Sequence, residues 1–177
     1  MKMRFRLASV TIALAACAPS IEKNDTQSSP VMVADSVVLE RSVCFGLCPA
    51  YRLRLSSTGN VRYDSLNPRD STEAAVETIA PTTLRMLVDR AGAAGFFELP
   101  PEIAADSVLC PLRATDHPTV VVTFFSAAQT RTVRDYLGCF ATTDRGVVPR
   151  LARLRALETE IDSVLHSARW IRPTSSR

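Results

Sequence analysis

The chain has 177 residues, 46% of them hydrophobic and 22% charged, which is enough apolar material for one packed domain and a short appendage. Its formal charge of +3 comes from 21 basic and 18 acidic residues, and Lys2, Arg4 and Arg6 account for the whole excess. The rest of the chain is balanced at 18 of each sign, so charge gives no ground for a nucleic-acid partner or an acidic one.

Residues 1–16 read as a targeting segment. A positive start is followed by a short apolar run, Leu7 to Leu14, too short to span a bilayer as a helix. The run ends in Leu14-Ala15-Ala16-Cys17, which resembles the lipobox of bacterial lipoproteins. That resemblance implies that Cys17 receives a diacylglycerol and becomes the first residue of the mature chain. Ala18, not Asp, follows the cysteine. By resemblance to enterobacterial sorting, this implies a bacterial cell-envelope protein, lipid-anchored at the outer membrane and facing the periplasm.

Residues 17–32 are polar without a period and read as a flexible tether; 33–172 read as a single domain, and 173–177 as a frayed tail. Val33 to Val43 predicts a first strand, with Val37 and Leu39 alternating against Val38 and Glu40. Cys44-Phe45-Gly46-Leu47-Cys48 then makes a tight loop. Tyr51, Leu53 and Leu55 point one way beyond it, and Arg52 and Arg54 the other. A turn at Ser56 to Asn60 and a second alternating run, Val61 and Tyr63 against Arg62 and Asp64, complete a hairpin. Glu73 to Ile79 predicts a weaker strand with Ala74 and Val76 as its apolar members.

Pro81 suits the first turn of a helix whose apolar face is Leu84, Leu87, Val88 and Ala91, stopped by Gly92 or Gly95. Phe96, Phe97 and Leu99 are expected under the sheet. A long loop runs from Pro100 to Pro118 and needs a restraint or a task. The β-branched and aromatic run Thr119 to Phe125 predicts a central strand covered on both faces, with Thr130 to Leu137 as its hairpin partner. Gly138 and Cys139 are expected to leave the sheet. Pro149 opens a last helix with the stripe Leu151, Leu154, Leu157, Ile161, Val164, Leu165 and Ala168, and with Arg150, Arg153, Arg155, Glu158 and Glu160 largely outside. Trp170 and Ile171 are expected to close the chain against the core. The order of elements predicts an α+β fold: an antiparallel sheet of two hairpin units with two helices packed on one face.

Setting Cys17 aside leaves Cys44, Cys48, Cys110 and Cys139, an even number in an exported chain, which points to disulfides. Three pairings are possible. Cys44–Cys48 with Cys110–Cys139 is the favoured one, because the second bond would restrain the long loop. Its chain-entropy stabilisation is on the order of 3 kcal/mol.

The run Val43 to Tyr51 resembles the signature of a bacterial family known as domain of unknown function 6438. Gly95-Phe96-Phe97, Thr115-Asp116-His117-Pro118, and Leu157-Glu158-Thr159-Glu160-Ile161-Asp162 with Arg169-Trp170 agree with it, over about residues 37–171. The resemblance implies an exported, often lipid-anchored α+β protein, and no activity comes with it.

Five constellations could carry chemistry or contact. Cys44 and Cys48 could be a redox pair, although redox dithiols usually start a helix and here a strand follows. The four cysteines could bind zinc, but only Cys44 and Cys48 form a close pair; no metal and no cofactor is expected. Asp116 and His117 could act beside Cys110 and Cys139, against the plainer reading of a turn cap and a solvated turn residue. Arg52, Arg54 and Arg62 could form a basic strip, with Asp64 among them arguing for cross-strand pairs. Phe45, Tyr51 and Tyr63 could line an apolar patch for a partner, though core packing is the default. No catalytic set is spaced recognisably. The expected function is therefore a non-catalytic, lipid-anchored binding module, its partners the membrane through the lipid and an envelope protein or cell-wall component. The alternative is an exported thiol–disulfide oxidoreductase using Cys44 and Cys48.

Overall fold

In the computed structural model, which describes residues 32–67, 74–142 and 146–171, the alternating runs become strands and the 3.6-period runs become helices. The signal segment, nearly all of the tether including Cys17, and the tail lie outside the described residues. The strands are β1 (Ser36–Arg41), β2 (Tyr51–Ser56), β3 (Asn60–Ser65), β4 (Ala75–Thr78), β5 (Leu112–Arg113), β6 (Thr119–Phe125), β7 (Thr130–Tyr136) and β8 (Cys139–Phe140). The helices are α1 (Thr82–Ala94) and α2 (Pro149–Val164).

Six strands form one antiparallel sheet in the order β4-β3-β2-β1-β6-β7. The two hairpins are the expected units, and β1 joins them edge to edge. The fold is thus α+β, with β1 and not β6 near the middle. The outer side chains Val121 and Phe125 of β6 are only partly covered, and the Arg54 guanidinium lies 5.9 Å from the centre of the Phe125 ring. A β-branched run reads as central because it is apolar on both sides, whereas here cross-strand side chains, Arg54 over Phe125 among them, supply part of the outer cover.

Register puts the inward side chains in rows. One row is Tyr63, Leu53, Leu39, Val122 and Val133; the next is Val61, Leu55, Val37 and Phe124. All nine are buried. The helices cover this face with Leu84, Leu87, Val88 and Ala91 of α1 and Leu151, Leu154, Leu157 and Ile161 of α2. Each such Leu, Ile or Phe, fully buried, stabilises by about 1.5–3 kcal/mol. The Gly95 cap in left-handed conformation ends α1, and Phe96 then turns under the sheet with its ring 5.3 Å from that of Phe124.

Three expectations need correction. β4 has the opposite phase: Ala75 and Glu77 face inward, while Ala74 and Val76 are exposed. Its register is set by the Ile79 amide donating to the Gly59 carbonyl, an approach so close that a Cβ on Gly59 would collide with Ile79. Inward-facing Glu77 then accepts from His166 (2.5 Å) and Arg169 (2.7 Å) beyond α2. Burial works against its charge, but those bonds and the two neighbours' charge hold its carboxyl below the usual range. Second, the segment from Pro100 to Pro118 carries two short pieces of regular structure of its own, the 3-10 turn Ile103–Ala105 and β5. Third, Glu158 of α2 is buried and Arg155 partly so, while Ala168 is exposed. Cys139 leaves the six-stranded sheet as expected, and its strand β8 pairs with β5 in a small second sheet, Arg113 opposite Cys139.

Candidate functional site

One end of the sheet gathers the ends of β1 and β7 and the starts of β2 and β6. The Ser42 amide donates to the Thr119 carbonyl (3.0 Å), and the Ser42 hydroxyl accepts from the Thr119 amide (2.8 Å). The Cys44–Cys48 loop and the segment before β6 therefore emerge side by side. The Cys44–Cys48 bond closes that loop, with the two Cα atoms 5.6 Å apart. Gly46 sits at φ 141°, a conformation side-chain-bearing residues rarely adopt. Of the loop's apolar side chains, Phe45 is 89% exposed, Leu47 65% and Val43 56%.

The residues singled out in the sequence divide between this end and the sheet faces. Cys110 bonds Cys139, Cα atoms 4.8 Å apart, and ties the long loop to β8. Asp116 is exposed, in left-handed conformation, with its carboxylate accepting from the Thr115 hydroxyl at 3.0 Å. The His117 ring packs edge-on against Phe140 and Tyr136, and its amide donates to the Tyr136 hydroxyl at 3.3 Å. These are turn and packing roles. Arg52 and Arg54 lie on the outer face, Arg52 paired with Glu40 at 2.9 Å, and Arg62 beside them with Asp64 at 2.7 Å. Tyr51 and Tyr63 are buried on the inner face, so of the three aromatics of the patch only Phe45 is presented to solvent. Among the described residues no group of three or more His, Cys, Asp or Glu is arranged to hold a metal ion.

A cluster not foreseen from the sequence lies beneath α2 at the same end. The inward row nearest the loop runs Tyr51, Arg41, Val120 and Asp135. Asp162 of α2 receives Arg41 Nε (2.7 Å) on one oxygen and the Tyr51 hydroxyl (2.7 Å) on the other. Asp135, 0% exposed, receives Arg155 Nε at 2.8 Å, and Arg155 also donates to the Tyr136 and Cys139 carbonyls at 3.3 Å. Glu158, 2% exposed, lies between the two pairs. Its burial, then the negative Asp135, push its carboxyl well up, against the pull of Arg41 and Arg155. Burial and Asp162 likewise push the Tyr51 phenol far above its usual range. The arrangement ties α2 to β1, β2 and β7 with charge-assisted bonds, and the arginine heads and two carboxylates are occupied by one another.

A signal for this cluster was present. Arg41 shares the parity of Val37 and Leu39, and Asp135 that of Val133, so both had to face inward. Arg155, Glu158 and Asp162 recur at helical spacing beside the leucine stripe.

A family model described as "Domain of unknown function (DUF6438)" matches residues 35–164. No curated protein matches the chain.

Proposed function

We propose that this chain, which belongs to the DUF6438 family, is a lipid-anchored envelope protein that works by contact through the loop end of its sheet and not by catalysis. The observation that carries the reading is the contrast in what that end presents. Polar groups at that end are engaged with one another: Asp162 with Arg41 and Tyr51, Asp135 with Arg155, Ser42 with Thr119, and exposed Asp116 with Thr115. Beside them Phe45 and Leu47 stand in solvent on a covalently closed loop, with exposed Val43 just before it. Neighbouring exposed apolar side chains support a reading as a contact surface. The loop leads into β2 and not into a helix, so no helix N-terminus favours a thiolate at Cys44 or Cys48. Anchoring rests on the run Leu14-Ala15-Ala16-Cys17.

Mass spectrometry of the mature N-terminus tests the address, with a diacylglycerol-modified Cys17 as the expected result. A photo-crosslinking residue at position 45, activated in intact cells, tests the contact. Adducts that form at 45 and not at exposed Val76 support it; equal labelling at both positions overturns it.

A further inference from the structure

We infer that the Cys44–Cys48 loop is a second attachment to the bilayer, its apolar tip dipping into the lipid interface. The inference rests on the reading of the loop end as a contact surface and names what it meets.

From Val43 to Ala50 no side chain carries a charge or a hydrogen-bonding oxygen or nitrogen. Ser42 and Tyr51, which flank that run, have their hydroxyls engaged with Thr119 and Asp162. A protein partner is selected by a pocket matched to the anchor and by a polar rim that sets register. Residues 43–50 themselves supply no rim. Three side chains also fall far short of the ~800 Å² per partner that a stable protein interface takes, which disfavours a second copy of the chain. A lipid surface requires neither a matched pocket nor a register, only apolar side chains held clear of the domain.

Two further features fit. The disulfide and Gly46 fix the tip before it meets anything, so little ordering is left for binding to supply. Among the described residues, the backbone amides and carbonyls from Cys44 to Pro49 make no hydrogen bond. Such a loop cannot enter the hydrocarbon centre, where those groups would be stranded. It suits the headgroup boundary, where water still reaches the backbone.

Chain length permits both attachments together. Met32 enters at the opposite end of β1 from the loop, and six strand residues span about 20 Å. Fifteen residues lie from Cys17 to Val31, and extended they reach about 50 Å. A chain held at Cys17 can therefore lie with β1 along the surface and the loop against it.

The test uses the full chain bound to vesicles of phosphatidylethanolamine and phosphatidylglycerol with bromines high on the acyl chains. F45W and L47W place a fluorophore on the tip, and V76W places one on the exposed edge strand. The unsubstituted chain, with Trp170 alone, sets the background. All three are surface positions, so folding is retained. The expected result is a blue shift and at least twofold quenching at 45 and 47 above background, with none at 76. Quenching at 45 no greater than at 76, on protein shown by mass spectrometry to be acylated and vesicle-bound, overturns the inference. So does an in-cell adduct at 45 consisting of protein and not lipid. The same vesicles with C17S introduced into the F45W chain separate the two ideas. If Cys17 proves unmodified yet the fluorophore at position 45 is still quenched, the anchor fails and the loop contact stands.

Discussion

The polar cluster beneath α2 and the tip of the Cys44–Cys48 loop lie at the same end of the sheet, and each inverts the ordinary sorting of residues. The cluster buries Asp135 and Glu158 and half-buries Arg41, Arg155 and Asp162. The tip exposes Val43, Phe45 and Leu47. The two inversions have different physical supports. Charges are tolerated inside because each carboxylate of a pair meets an arginine at hydrogen-bond distance, and breaking one pair strands the other partner. Apolar groups stay outside because a short covalent ring keeps them from folding back onto the core. The difference teaches where stability and contact sit: the cluster holds the domain together, and the exposed side chains of the tip add little to holding it.

The sharpest way to break that division is at the cluster. D135A leaves Arg155 under α2 without its carboxylate, and the expected loss is about 3–5 kcal/mol in urea unfolding. A loss below about 1 kcal/mol would mean that the pair is not structural. Next in size are the two disulfides. Replacing Cys110 and Cys139 by alanine releases a bond of sequence separation 29 and should cost roughly 3–4 kcal/mol, while the same change at Cys44 and Cys48, separation 4, should cost only about 2. Equal losses would show that the small ring does more than shape the tip.

Much of this architecture was legible in the residues, for local reasons. Alternation exposed the faces of β2 and β3, and Leu84, Leu87, Val88 and Ala91 the buried face of α1. The phase of β4 was not legible, because its four residues carry no clear alternation and its register is set by the distant Gly59 carbonyl. Cys110 pairs with Cys139 only because the chain leaves strict hairpin register after Tyr136: Arg113, not Asp116, ends opposite Cys139. At the candidate site, the cysteine loop stood out by its composition. The fate of Phe45 did not, since an aromatic beside a strand has core packing as its ordinary destination. The charged cluster was missed because each charge was weighed on its own element, where a charged residue on an amphipathic helix reads as solvent-facing. What makes their inward placement tolerable is pairing between elements, Arg41 with Asp162 across 121 residues and Asp135 with Arg155 across 20.

Glu158 gives a finer probe of the buried region, through pH. Its folded-state carboxyl holds its proton above the ordinary value of 4.5 at which the unfolded chain releases it. The folded state therefore binds more protons over that window, and stability falls as pH rises. The contribution is complete below pH 4.5 and is lost as pH rises through the folded-state value. E158Q cannot ionise and removes this slope. The variant should match the parent near pH 4 and exceed it at pH 8, by about 1.4 kcal/mol for each unit of upward shift. Urea midpoints measured across pH 4–8 decide it; a parallel loss at every pH would mean that Glu158 serves as a charged partner instead.

The smallest expected effect is the most telling for the tip. F45D places a charge on a side chain that is already in water, so its unfolding free energy should stay within about 0.5 kcal/mol of the parent. A Phe in a core would lose several times that on the same change. If the urea midpoint is unmoved while vesicle contact at the loop disappears, then the aromatic is kept there for something outside the domain. A large drop in the midpoint would place Phe45 among the groups that hold the fold, and the division between the two regions would fail at its exposed side.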